Sequence, residues 1–286
     1  PINRHPIADK AHAANIPLIG DIELFSQARP SLPPHKVVGI TGTNGKSTTT
    51  ALIHHIVETA GIPARLGGNI GLPILGQEPL PVGGVYVLEL SSYQIDLCHT
   101  LDCDVAVLLN ITPDHLDRYD GFADYAAAKE RLFTMQHVDK VAVIATEDDR
   151  TKMIASRINH RLKRVSSKDV VDQSRWPSLQ GPHNAQNVAT ARAVADVLGL
   201  NAATVEDALC SYPGLPHRME RVRERDGVLY VNDSKATNPA STAPALAAFP
   251  AIHWILGGQA KTKDLDACAA HFSHVRAAYT IGESAQ

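Results

Sequence analysis

No C-x-x-C pair occurs in this chain of 286 residues, and its four cysteines, Cys98, Cys103, Cys210 and Cys268, are scattered. Neither a zinc site nor a disulfide framework is suggested, and the four read as small core or surface residues. No charge of one sign prevails: 27 basic and 30 acidic residues are interspersed, for a formal net charge of -3. That balance leaves no electrostatic footprint for nucleic acid or an anionic membrane surface. Apolar runs such as VAVLLNI, residues 105–111, stop well short of the roughly 20 residues a membrane span needs. The opening residues do not read as a basic, apolar leader. The expectation is a cytoplasmic, monomeric protein with no membrane insertion and no nucleic-acid partner. The chain starts without Met and closes on AAYTIGESAQ, a strand and glycine turn opening a helix that does not follow, so truncation at both ends is expected.

What is present is material for two globular units, with 44% of residues hydrophobic. From His35 onward, β-rich runs alternate with helical stretches: KVVGI, KSTTTALIHHIVETAG, GVYVLEL, DVAVLLNI, FADYAAAKERLF, KVAVIA. Near-continuous apolar strands in such an alternation predict a mostly parallel sheet covered on both faces. A further helix, NAQNVATARAVADVLG, precedes SYPGLPHR, where Pro213, Gly214 and Pro216 mark a linker. Beyond it, GVLYVNDS, a Pro- and Ala-rich helix, AIHWILGG, another helix and AAYTIG predict a second, Rossmann-like α/β domain, incomplete at its end. The expected division is 1–34, the remnant of a preceding domain and linker; 35–213, a central domain; and 214–286. No internal repeat is visible.

The strand KVVGI runs into GITGTNGKSTTT, a glycine-rich turn before a helix that opens at Lys46. Unpaired backbone N–H groups and the positive end of the helix dipole then surround any anion bound there. Gly42 and Gly45 let the backbone curl close to phosphates, Lys46 reaches the terminal phosphates and the Ser47 hydroxyl takes a place on Mg²⁺. The full G-x-x-x-x-G-K-S pattern is not met, because Ile40 stands where its first glycine belongs. A parallel sheet gathers ligands at the carboxyl ends of its strands. There stand Glu89, a carboxylate closing an apolar strand, and Asn110, followed by Thr112 as a predicted helix cap with Pro113 behind it, which puts Asp114 and His115 on a first helical turn. Glu89 reads equally as a metal ligand or a solvent-facing strand end, His115 as a structural hydrogen-bonder and Lys129 as a solvated helix lysine.

Taken together, GTNGKST, ELSSYQID, NITPDHLDRY, GPHNAQNVATA, GLPHRMERV and NDSKATNP resemble the Mur ligases, ATP-dependent amide-forming enzymes of peptidoglycan precursor synthesis. NDSKATN and SSYQID are most similar to the D-glutamate-adding branch. The resemblance implies ATP, two Mg²⁺ ions and, as substrates, UDP-N-acetylmuramoyl-L-alanine and D-glutamate, joined through an acyl phosphate. It implies that Gly42, Thr43, Asn44, Gly45, Lys46, Ser47 and Thr48 hold the nucleotide, that Ser47 and Glu89 hold one Mg²⁺, and that His115 and a carbamylated Lys129 hold the second. Asn69 is implied near the reacting carboxylate, Asn184 and Asn187 at the adenine nucleotide, Arg218 and Asp233 at ATP phosphate and ribose. Asn184 could equally cap the helix after Pro182. Ser91, Lys235, Thr237 and Lys261 are implied to face substrate, and residues 1–34 to belong to a UDP-gripping domain. Contacts spread over two domains predict closure of the second onto the first. The rival readings are a folate polyglutamate ligase, against which NDSKATN argues; a P-loop switch, for which no N-K-x-D appears; and a non-catalytic nucleotide-binding module.

Overall fold

The structure, a computed structural model, describes residues 5–115, 118–259 and 264–283. Its centre is a sheet of β1 (His35–Thr41), β2 (Ala64–Gly68), β3 (Gly84–Glu89), β4 (Val105–Leu108), β5 (Val141–Ala145) and β6 (Arg161–Val165). The strand order is β2-β3-β1-β4-β5-β6, and every pairing is parallel. Helix α1 (Pro6–Ala13) comes first in the chain; helices α2 (Asp21–Ala28), α3 (Lys46–Thr59), α4 (Ser92–Asp96), α5 (Phe122–Thr134), α6 (Asp149–Arg157), α7 (Pro182–Leu198) and α8 (Ala202–Ser211) contribute to the two cores that flank this sheet.

The unbroken apolar strands are explained by burial on both faces. Val38 and Ile40 of β1, Val85 and Val87 of β3, and Val105 and Val107 of β4 pack with α3, α7 and α8. Their neighbours Val37, Tyr86, Leu88, Ala106 and Leu108 point the other way, into a core completed by α2, α4, α5 and α6. Each fully buried Val, Leu or Ile side chain in these layers contributes about 1.5–3 kcal/mol relative to exposure. Residues 21–28 are part of this packing. Ile22 and Phe25 of α2 lie in the second core, and the Glu23 carboxylate accepts the backbone N–H groups of His99 at 2.7 Å and Thr100 at 3.0 Å.

After Gly214 the chain forms an antiparallel hairpin of β7 (Glu220–Arg225) and β8 (Val228–Asn232), then α9 (Pro239–Ala247), β9 (Ile252–Gly257) and β10 (Val275–Ile281), the last two paired in parallel. One element is new here and one expectation changes. The highly charged ERVRER is a strand, turned at Asp226 (φ 54°) and Gly227 (φ 75°), the Asp-Gly pair that suits a two-residue hairpin. The helix expected between β9 and β10 is a 3₁₀ segment, Asp266–His274, which buries Cys268 beside α9.

The sheet order reverses at β1: β2 and β3 lie on one side of it, β4 to β6 on the other. The carboxyl ends of β3, β1 and β4 therefore border the crevice where an open parallel sheet accepts ligands.

Candidate functional site

Residues 42–45 carry the chain from β1 to α3. Gly45 sits at the helix cap with φ 83°, and no side chain caps the helix, so its first N–H groups face the loop. A Cβ on Gly45 would meet Asn187 Oδ1 at 2.6 Å, so both space and conformation demand glycine. Asn187 accepts the Thr49 hydroxyl at 3.0 Å and donates to Asn184 Oδ1 at 3.0 Å. Both asparagines are buried, as is much of α7 behind the loop. Asn184 is not the helix cap. That position belongs to Gly181, while the Asn184 amide donates to Gln180 O.

Asn110, at the end of the β4 segment, holds the front of the loop. Its Oδ1 accepts Asn44 N–H at 2.8 Å, its Nδ2 donates to Asn44 O at 3.0 Å, and its carbonyl accepts Thr43 N–H at 2.8 Å. Thr112 does not open a helix, and Asp114 and His115 are not on a first helical turn. The Thr112 N–H donates to the Thr43 hydroxyl at 3.0 Å, and its carbonyl is 3.2 Å from that same oxygen. Having both backbone groups spent on a partner distant in sequence keeps Thr112 in a loop along the rim, and among the described residues the next helix begins at Phe122. His115 has φ 54° and an exposed side chain, its ring 5.2 Å from that of Tyr93.

Lys46 folds over the loop, its Nζ donating to Gly42 O at 2.9 Å and Thr43 O at 2.8 Å. Burial pushes its pKa down, with Arg218 acting in the same direction against Glu89 and Asp114. Ser47 and Thr48 are half-buried beside it. The neighbouring strand end is held as firmly. Gly68 (φ 87°) lets β2 turn, since a Cβ there would lie 2.1 Å from Glu89 O. Asn69 N–H then reaches Glu89 O at 2.8 Å and its amide reaches Glu89 Oε1 at 3.0 Å. Glu89 is 2% exposed, and its other oxygen, Oε2, has no hydrogen-bond partner. Ser91 caps α4 through a capping box with Gln94.

Lys129 is no solvated lysine. It is 1% exposed, and its Nζ donates to Gly42 O at 2.8 Å across 87 positions of sequence. Burial, then the nearby Lys46, hold its pKa well below the ordinary lysine value, with Asp114, Asp96 and Glu89 opposing. From the linker, Arg218 donates to the Ser47 hydroxyl at 3.0 Å. Asp233 accepts Met219 N–H at 3.0 Å, and burial raises its pKa while that N–H and Arg218 lower it. Lys235 and Thr237 are exposed on the loop that follows. Lys261 lies outside the described residues.

Lys46, Ser47, Asn69, Glu89, Lys129 and Arg218 thus gather around one loop. Among the described residues no three His, Cys, Asp or Glu side chains converge as a metal cage. The donors still fit Mg²⁺, which takes a carboxylate or two and leaves other positions to phosphate and water: a buried carboxylate oxygen lacking any partner stands at the same rim as the Ser47 hydroxyl. Lys129 fits only as a carbamate, since an amine supplies no oxygen, and its depressed pKa favours the neutral amine that such a modification needs. Two residues that shape the loop, Tyr125 and Gln186, were not singled out from the sequence, and Asn110 was placed at the rim without a role in the loop. Gln186 is the one-turn neighbour of Pro182 on α7 that accepts the Asn110 amide at 3.1 Å, and Tyr125 precedes Lys129 by one helical turn, the spacing that could have revealed it.

The chain matches the family described as Mur ligase middle domain over residues 40–191 and that described as Mur ligase, glutamate ligase domain, over 217–286. It is 65% identical over 291 residues to UDP-N-acetylmuramoylalanine--D-glutamate ligase of Sphingopyxis alaskensis, covering 99% of this chain and 67% of that protein. With the protein of the same name from Zymomonas mobilis it shares 61% over 290 residues, 99% of this chain and 66% of the relative. The chain thus spans about two thirds of the length of the curated relatives it matches. Among solved structures, MurF ligase from Thermotoga maritima in complex with ADP superposes with a TM-score of 0.74 at 20% identity, over 91% of this chain and 69% of that one. E. coli FolC in complex with DHPP and ADP gives 0.65 at 18%, over 92% and 84%. At these identities both are likenesses of fold.

Proposed function

The chain belongs to the Mur ligase family, and from that premise we propose that it is the ATP-using core of a ligase that joins D-glutamate to UDP-N-acetylmuramoyl-L-alanine in the cytoplasm, acting as a monomer. The domain division at 213/214 belongs to the same reading, with residues 21–28 packed against the central unit. One observation carries it: Lys46, Lys129 and Arg218 bring three basic side chains to the loop 42–47, beside a buried carboxylate with an unpartnered oxygen.

A carboxylate resists amide formation because its charge is delocalised, so it must first be activated. Transfer of the ATP γ-phosphoryl group to a substrate carboxylate oxygen forms an acyl phosphate and releases ADP. The neutral amine of D-glutamate attacks the acyl carbon, the tetrahedral adduct collapses with loss of phosphate, and a proton leaves the nitrogen. Positioning and charge stabilisation are the protein's share. The loop N–H groups of α3 bind the phosphates, and Lys46, released from the Gly42 and Thr43 carbonyls, spreads the charge of the transferring group. Asn69, tied to Glu89, orients the acceptor carboxylate. Arg218 and Asp233 hold the nucleotide from the second unit, and Lys235, Thr237 and Lys261 face D-glutamate, with Ser91 on the substrate side. Mg²⁺ held by Ser47 and Glu89, and a second ion held by His115 and carbamylated Lys129, would supply charge neutralisation.

The test is phosphate release by the full-length protein given UDP-N-acetylmuramoyl-L-alanine and a panel of amino acids and folates. Turnover only with D-glutamate is expected. Productive turnover with a folate acceptor alone would sink the assignment, and acceptor-independent hydrolysis would favour a nucleotide switch.

A further inference from the structure

Three groups converge on the hydroxyl of Thr43. Its oxygen receives the Thr112 N–H at 3.0 Å, faces the Thr112 carbonyl at 3.2 Å and lies 3.1 Å from the phenol oxygen of Tyr125. A threonine hydroxyl owns one hydrogen and two lone pairs, and a carbonyl can only accept. The hydrogen of Thr43 therefore goes to Thr112 O, one lone pair takes the Thr112 N–H, and the other takes the Tyr125 O–H. The donor across the Tyr125–Thr43 contact is the tyrosine.

Tyr125 is 1% exposed, and its ring serves a second element at the same time. The Lys129 nitrogen, one turn further along α5, stands 4.6 Å from the centre of the ring and donates to Gly42 O at 2.8 Å. On another side, the ring centroid lies 6.3 Å from that of His115 at an interplanar angle of 62°. One side chain thus meets the phosphate loop, the rim segment and the buried lysine. A space-filling aromatic needs no hydroxyl. Here the hydroxyl has one acceptor, whose remaining valences are already committed, so phenylalanine would leave a buried lone pair unpaired.

We propose that Tyr125 is a positioning residue of the nucleotide site: its hydroxyl fixes the Thr43 side of the loop and its ring seats the Lys129 nitrogen against Gly42, so that loop and lysine keep one register. The inference rests on the reading of residues 42–47 as the phosphate loop. Neither group need touch the nucleotide; the effect passes through Thr43 and Gly42.

The experiment measures ADP affinity by calorimetry, together with kcat and KM for ATP, in the full-length protein, Tyr125→Phe, Thr43→Val and the double variant. Tyr125→Phe is expected to weaken ADP binding about five- to tenfold, to raise KM for ATP more than it lowers kcat, and to shift Tm by only about 2–4 °C. Thr43→Val, which cuts the same contact from its other end, loses at least as much affinity. In the Thr43→Val background the change to Phe has no further effect, because the contact is already gone. Wild-type affinity in either single variant, or a full Tyr125→Phe loss persisting beside Thr43→Val, overturns the proposal. Should Tyr125→Phe fold poorly, wild-type affinity in Thr43→Val still overturns the proposal. Failure of the wild-type protein to bind ADP is a different result, which removes the phosphate-loop reading itself.

Discussion

The amine of Lys129 and the carbonyl of Gly42 are 2.8 Å apart and shielded from solvent, so this hydrogen bond, together with that of Tyr125 to Thr43, pins α5 to the loop at the end of β1. Burial and the neighbouring Lys46 both disfavour the charged form of this lysine and favour its neutral, nucleophilic amine.

Protein equilibrated with ¹³C-bicarbonate is accordingly expected to show a carbamate carbon resonance that disappears in Lys129→Ala. A spectrum without that resonance in the wild type would remove the proposed second metal ligand.

Lys46→Ala removes the charge that the proposed mechanism sets against the transferring phosphoryl group. The expected loss in kcat is on the order of 10² or more, by analogy with the loss of one preorganised charge-stabilising donor, measured as acceptor-dependent phosphate release. Near-normal turnover would refute the role given to Lys46.

Gly45→Ala combines two penalties, a left-handed φ of 83° and a Cβ 2.6 Å from Asn187 Oδ1. A destabilisation of about 1–3 kcal/mol is expected, with Tm falling by several degrees. Because part of the cost is the clash, Asn187→Ala should soften the effect of Gly45→Ala without abolishing it. Thermal unfolding of the two single variants and the double variant checks this, and strict additivity would contradict it.

His183 offers a pH test. Burial pushes its pKa down to about 4, and its Nδ1 is buried without a hydrogen-bond partner. As pH falls below roughly 6.5, the unfolded chain binds a proton that the native ring refuses, so stability declines by on the order of 1 kcal/mol per pH unit until the native ring titrates near 4. Chemical denaturation across that interval should show a shallower slope in His183→Phe; an unchanged slope would show that His183 is not responsible.

The loop between β1 and α3 was legible because its signals are local: glycine where the backbone must turn left-handed, then a lysine and serine opening a helix. The two-faced sheet was equally legible, since strands such as DVAVLLN bury both of their sides. Lys129 could be placed from the residues alone only as an exposed helix position, because its partner Gly42 lies 87 positions away in the chain. Thr112 misled for the same reason. Its sequence context, Thr before Pro, is that of a helix start, yet Thr43 takes both its backbone groups. The hairpin of β7 and β8 had a local mark, Asp226–Gly227, masked by the charges of ERVRER, which looks unlike a strand that packs on a core. Its residues are exposed except for the half-buried Glu220, so no alternating pattern was required of them.

Arg218 leaves the linker and ends on the Ser47 hydroxyl. A single guanidinium is therefore the whole distance between the joint of the molecule and the first turn of α3. In the proposed closure, swinging the second unit would tug that turn without any relay through the sheet, and a small molecule wedged beside Arg218 would jam the joint and the proposed nucleotide seat in the same stroke.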